Sequence, residues 1–339
     1  MNRRNFMSQM AIASTTVLAP KWALAQTHPR VIDIHAHCVF PEVAEIIKDT
    51  PLKDTGFADW QTLSPARMEL MDGRAIDMQV LSVNRYWWNG LEPEIADKVV
   101  RYHDEQLAAW CNQYPDRFTA LSSVSLEYPE LAAAQLEYAV NELGLRGASV
   151  GGHTNGEAVS GARFDPFWAK AAELNVPVFM HPNNSDQWVD PEIFSGAGSL
   201  PNIIGNPLET AIFLSKLIYE GVFDRFPDLK VVGSHGGGYL PSYLSRFEVA
   251  CELRPDAACI NTKSPSEYLK SQIFVDSMVF SDEGLRHLVA EMGSGQIVFG
   301  SDVPFSWPDT VPIIEASDAL NADQKEAVLG GNLARLLKL

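Results

Sequence analysis

From residue 31 onwards the chain repeats one pattern: a short apolar run of strand length, then a longer amphipathic stretch. The apolar runs cover residues 31–34, 78–83, 118–124, 147–150, 176–180, 229–233, 273–276 and 297–300, each rich in Val, Ile, Phe or Leu. Between them, residues 95–114, 129–143, 207–219, 240–251 and 282–291 read as helices, and Asp165-Pro166 opens another with Asp165 as N-cap. Strands alternating with helices predict a parallel sheet, and eight such units predict its closure into a (β/α)8 TIM barrel. The competing open, doubly wound sheet lacks a Gly-x-Gly-x-x-Gly after the first run. Residues 40–65 and 183–206, rich in Pro, Gly, Asp and Asn, read as loop insertions after strands 1 and 5, lying over the barrel mouth.

The net charge of -17 argues against nucleic-acid and anionic-membrane partners. It also requires local basic residues wherever an anionic substrate is to bind. The four cysteines form no CxxC pair and read as reduced thiols, with a bridge between Cys251 and Cys259, the two that are close in sequence, as the alternative an oxidising compartment permits. Residues 1–25 read as a cleaved export signal: Arg3-Arg4 before Phe6, a modest apolar stretch too short to span a bilayer, then Ala23-Leu24-Ala25. The paired arginines resemble a twin-arginine signal, with a Sec signal as the alternative, and either implies a periplasmic protein. Residues 26–339 are expected to form one barrel domain.

Histidine placement carries the chemistry. His35 and His37 close the first run, and side chains two apart on a strand share a face. His181 follows the fifth run, His235 the sixth and Asp302 the eighth. Of the eight histidines, chance placement would put most on helix surfaces, as with His103 and His287. The C-terminal strand ends of such a barrel converge on its active-site face. Imidazoles and a carboxylate there would bind one divalent ion, lower the pKa of a bound water and act as a Lewis acid. Zn²⁺ is expected, with Mn²⁺ as the alternative. Spacing alone does not say which of the five groups stands outside the ligand set. Trp87, after the second run, suits either stacking on a planar substrate or packing. His153 and Asp276 are weaker candidates, the latter for orienting a ligand.

His35-x-His37, His181-Pro182, Ser234-His235-Gly236-Gly237-Gly238 and Gly300-Ser301-Asp302 match, in order, the motifs of the amidohydrolase superfamily. With Met71-Asp72 and the stretch from Gly221 to Pro227, the chain more narrowly resembles the branch of aminocarboxymuconate semialdehyde decarboxylase. The resemblance implies His35, His37, His181 and Asp302 as metal ligands, Asp302 also as a catalytic residue, and His235 as the catalytic base. It implies that Arg67 and Arg246 grip a substrate carboxylate, the second from a neighbouring subunit, and so a homodimer. No lysine ends the fourth run, which favours one metal ion over two. The activity implied is non-oxidative decarboxylation of a small unsaturated or aromatic acid. The alternatives are hydrolysis of a lactone, amide or ester on the same site, and a non-enzymatic metal carrier.

Overall fold

The computed structural model describes residues 30–83, 87–183 and 185–339. The expected export signal lies outside the described residues. Eight parallel strands form the frame: β1 (Ile32–His37), β2 (Met78–Ser82), β3 (Phe118–Ala120), β4 (Ala148–Val150), β5 (Val178–Met180), β6 (Val231–Gly233), β7 (Ile273–Asp276) and β8 (Ile297–Val298). Regular ladders join β1 to β3 and β4 to β8. Shorter contacts close the ring. Ser122 bridges to Ala148 beyond β3, and the Ile34 and His37 amides donate to the Phe299 and Val303 carbonyls at 3.0 and 2.7 Å. The expected barrel is therefore present.

Each strand leads to a helix: α1 (Ala66–Gly73), α2 (Pro93–Gln113), α3 (Pro129–Asn141), α4 (Asp165–Leu174), α5 (Asn206–Tyr219), α6 (Leu244–Leu253), α7 (Asp282–Met292) and α8 (Asn332–Leu337). In α2, Pro93 occupies the first turn, where its missing N–H costs nothing, and Ala96, Val99, Val100, His103 and Leu107 form the buried stripe. Burial of Val99 or Leu107 contributes roughly 1.5–3 kcal/mol each. Ser281 caps α7 by accepting from the Gly284 amide at 3.1 Å, with Asp282 and Glu283 in the first turn. Among the described residues no helix is long and apolar enough to cross a membrane.

Two apolar layers result. Ile32, Ile34, Met78, Val80, Leu121, Phe179, Val232 and Val298 pack together with Leu333 and Leu337 of α8. Drawn from strands around the whole ring, they are the barrel interior. The larger cluster, including Val31, Ala36 and Leu81, lies between strands and helices. Register along β1 is broken: Asp33 pairs with Gln79, but Ala36 pairs with Leu81, so β1 carries one extra residue.

Three expectations need correction. Cys251 and Cys259 form a disulfide rather than two thiols, because the turn after α6 brings their Cα atoms to 5.8 Å. Asp165 is the first helical residue of α4 rather than its cap, and its carboxylate pairs with Arg225 at 2.9 Å. His103 is fully buried, stacked on Trp88 at 5.0 Å with Nδ1 2.9 Å from the Val99 carbonyl, so helical position alone misjudged it.

Beside it, burial pushes the Asp104 carboxyl up to about 8 despite the hydrogen bond from the Ser122 hydroxyl. A carboxyl that holds its proton longer in the folded chain than in the unfolded one (about 3.9) makes folding less favourable as pH rises between those values. Asp104→Asn should therefore raise Tm relative to the parent at pH 9 and leave the difference smaller at pH 5, measured by calorimetry across that range.

Candidate active site

Six chemistry-bearing residues meet at the C-terminal rim of the barrel. His35 and His37 end β1, His181 follows β5, His235 follows β6, Asp276 ends β7 and Asp302 follows β8. His35, His37, His181 and Asp302 each offer a ligand atom, and these atoms all lie within 4.8 Å of one another. All four are buried, the most accessible being His181 at 7%. Asp302 Oδ1 lies 2.7 Å from His37 Nε2 and 3.1 Å from His35 Nε2.

Among the described residues, several of those atoms lack a satisfactory partner. His35 Nε2, both ring nitrogens of His37 and Asp302 Oδ1 are buried without a well-formed hydrogen bond. Leaving such atoms unpaired is costly, and a divalent cation among them would satisfy them together. The donor set, three imidazoles and one carboxylate, suits such an ion with a coordination position to spare. A single divalent metal ion is supported by this group.

The remaining imidazole nitrogens are held by surrounding groups. His35 Nδ1 lies 2.7 Å from Asp276 Oδ2, and His181 Nδ1 lies 2.8 Å from the Pro182 carbonyl, leaving each Nε2 to face the cluster. Asp276 also accepts from the amides of His235, Gly236 and Met278 at 3.0, 2.8 and 3.1 Å. Burial disfavours charge on His35, but Asp302 and Asp276 on either side raise its pKa to about 10. Burial, reinforced by His35, pushes His235 down to about 4. A neutral His235 is therefore available as a proton acceptor near neutral pH.

Backbone geometry is unusual at the rim. His235 and Asp302 adopt φ of 54° and 59°, the left-handed region that costs a non-glycine residue energy and clusters at functional sites. Gly300 has no such φ but is needed for space: a Cβ there would lie 2.8 Å from Asp276 Cβ and 3.0 Å from His35 Cβ. Gly238 allows close contact of a different kind. A Cβ there would collide with the Pro207 carbonyl, so this glycine seats the rim against the start of α5.

Around the cluster, Trp87 is buried, its ring parallel to His181 at 6.2 Å and its Nε1 donating to the Ser149 carbonyl at 3.3 Å. Phe305, absent from the sequence-derived candidates, packs edge-on to His37 at 5.3 Å, and Trp60 from the first insertion packs on Phe305 at 5.2 Å. Both were invisible in sequence because nothing local sets them apart from core aromatics. His153 is occupied elsewhere, accepting from the Gly156 amide at 3.1 Å and packing on Trp188 at 4.8 Å.

The two arginines separate. Arg67 is buried in α1, donating to the His37 carbonyl at 2.6 Å and approaching Gln79 Oε1 at 3.5 Å. Arg246 is exposed and lines a groove of about 520 Å³ between α5 and α6, with Tyr219, Tyr239, Tyr243 and Phe247. None of the four clustered residues lines that groove.

Comparison with known proteins agrees with this geometry. The amidohydrolase family model matches residues 32–339. The chain is 32% identical over 283 residues to 2-amino-3-carboxymuconate-6-semialdehyde decarboxylase of Dictyostelium discoideum, covering 80% of this chain and 76% of the relative. It is 30% identical to gamma-resorcylate decarboxylase of Rhodococcus jostii, covering 75% and 83%. Among solved structures, 5-carboxyvanillate decarboxylase from Sphingomonas paucimobilis superposes with a TM-score of 0.84 at 23% identity, covering 92% of this chain and all of that one. Dihydroxybenzoic acid decarboxylase from Polaromonas, solved with manganese and 2-nitroresorcinol, gives 0.80 at 25% identity, covering 92% and 98%.

Purified protein should carry about one equivalent of divalent metal by elemental analysis, and His35→Ala should lose it. Asp276→Asn, which keeps the shape but weakens the hold on His35, should lower metal affinity roughly 10–100-fold by chelator competition.

Proposed function

The chain belongs to the amidohydrolase family, and from that premise we propose that it is a metal-dependent, non-oxidative decarboxylase of a small aromatic or unsaturated carboxylic acid. The carrying observation is the buried His35, His37, His181 and Asp302 group, framed by aromatic rings and set beside a neutral imidazole. The decarboxylases named among its relatives support the reaction class.

His35, His37, His181 and Asp302 would hold the ion, which when bound supplies Lewis acidity and charge neutralisation. Zn²⁺ fits the imidazole-rich set, and the manganese in structural neighbours makes Mn²⁺ the alternative. Trp87 and Phe305 form flat apolar walls that would orient a planar ring and exclude water. Arg67 has donors beyond those given to His37 and Gln79, and with Arg246 of a second copy it would fix the carboxylate through its two-pronged geometry. His235 takes a proton at Nε2, its Nδ1 lying 3.2 Å from the Ser234 hydroxyl oxygen. As the carboxylate carbon breaks from the ring, CO₂ leaves and the electron pair stays on the ring carbon. His235, protonated from solvent, then delivers that proton to the carbon and is left neutral, so that one proton is consumed for each CO₂ released.

Because Arg246 faces an apolar groove on its own subunit, the proposal includes a homodimer joined across α5 and α6. It also includes export to the periplasm, supported by Arg3-Arg4 and by a disulfide suited to an oxidising compartment.

A panel of hydroxybenzoates and muconate-type acids should give CO₂ release with at least one member. Turnover of lactones or esters instead would replace the reaction class. His235→Asn should keep its metal and lose roughly 10²–10⁴-fold in kcat. Mixing inactive Arg246→Ala and His235→Asn subunits should restore activity, since a mixed dimer contains one complete site. Absence of restoration under subunit exchange would place Arg246 outside the site.

A further inference from the structure

We propose that Asp33 is a positioning residue for the metal centre, its carboxylate replacing backbone bonds lost at the β1 bulge and so turning His35 and His37 into the barrel. The inference rests on the reading above that these histidines hold an ion.

Strict alternation along β1 would place the histidines wrongly. Ile32 and Ile34 belong to the barrel interior, whereas Val31 belongs to the outer layer. Side chains on a regular strand change face at each residue, so His35 would share the outer face with Val31 and Asp33. Yet the His35 ring packs edge-on to Phe179, an interior residue, and reaches Asp302. The extra residue between Asp33 and Ala36 accounts for the reversal, because one inserted residue sends all that follow to the opposite face.

The bulge interrupts the β1–β2 ladder, and the amides of His35 and, across the seam to β8, of Ser301 donate to a side chain in place of a ladder carbonyl. Asp33 supplies the acceptors. Its Oδ1 accepts from the His35 amide and the Ser301 amide, both at 3.0 Å. Its Oδ2 accepts from the Ser301 hydroxyl at 2.6 Å and from Gln79 Nε2 at 3.1 Å. One fully buried carboxylate thus grips the backbone at His35 and at the residue before Asp302. Gln79 continues the chain to Arg67, which donates to the His37 carbonyl. Candidate ligands on both sides of the seam are thereby spaced by one group that is not itself among them.

The test measures Zn²⁺ and Mn²⁺ affinity of metal-stripped protein by competition with a chromophoric chelator, alongside Tm. Asp33→Ala should fold and bind either ion roughly 10–100-fold more weakly. Asp33→Asn keeps an acceptor for the two amides but not for Gln79 Nε2, so its affinity should fall between Ala and the parent. If Asp33→Ala does not fold, Asp33→Asn carries the test, with a loss beyond twofold expected. Leu333→Ala, in the interior floor, serves as a comparator that lowers Tm without touching the rim. Affinity within twofold of the parent in the folded Asp33 variants, or a loss matched by Leu333→Ala at equal Tm, would overturn the positioning role. His35→Ala reports separately on the ligand reading: equal binding by it and the parent would remove that reading and the inference with it.

Discussion

Asp302 Oδ1 lies between the Nε2 atoms of His37 and His35, at 2.7 and 3.1 Å, in a place almost without solvent. Among the described residues, no group completes this arrangement. A carboxylate and imidazoles brought this close without water either share protons or share a cation. The raised pKa of His35 describes the first solution and the four-residue donor set describes the second. Most of the local structure serves to make this crowding tolerable. Asp276 anchors His35 from behind, Pro182 accepts from His181, and Gly300 clears the space that a side chain would fill.

The scaffold bears that cost through its closure. A barrel whose strands all pair has no free edge, so the rim residues are held from both sides. The seam between β1 and β8, like that between β3 and β4, has short contacts in place of a regular ladder. It is also where three of the candidate ligands sit. Left-handed backbone at His235 and Asp302 adds strain at the same rim, which the interior packing below must outweigh.

Charge poses a second problem. A chain with net charge -17 repels a carboxylate substrate unless the site reverses the local field. Among the described residues, buried Arg67 adjoins the clustered residues through the His37 carbonyl, while Arg246 lies on an exposed helix. A dimer would bring both signs of the problem together: the groove that exposes aromatic surface on one copy would carry the arginine to the site of the other.

Much of this was legible in the chain itself. Eight apolar runs at intervals, with His or Asp at the ends of the first, fifth, sixth and eighth, specify both a barrel and the rim where its chemistry collects, because strand direction and side-chain alternation are local properties. Other features depended on what the folded chain brings near. The Cys251–Cys259 bridge follows from the path of the turn after α6, and the burial of His103 from Trp88 lying over it. Phe305 reaches His37, with Trp60 packed on it, only once two distant loops meet. The facing of His35 and His37 is the sharpest case. Their spacing says that they point the same way, but only the bulge at Asp33, set by pairing with β2 and β8 across the closed ring, decides that this way is inward.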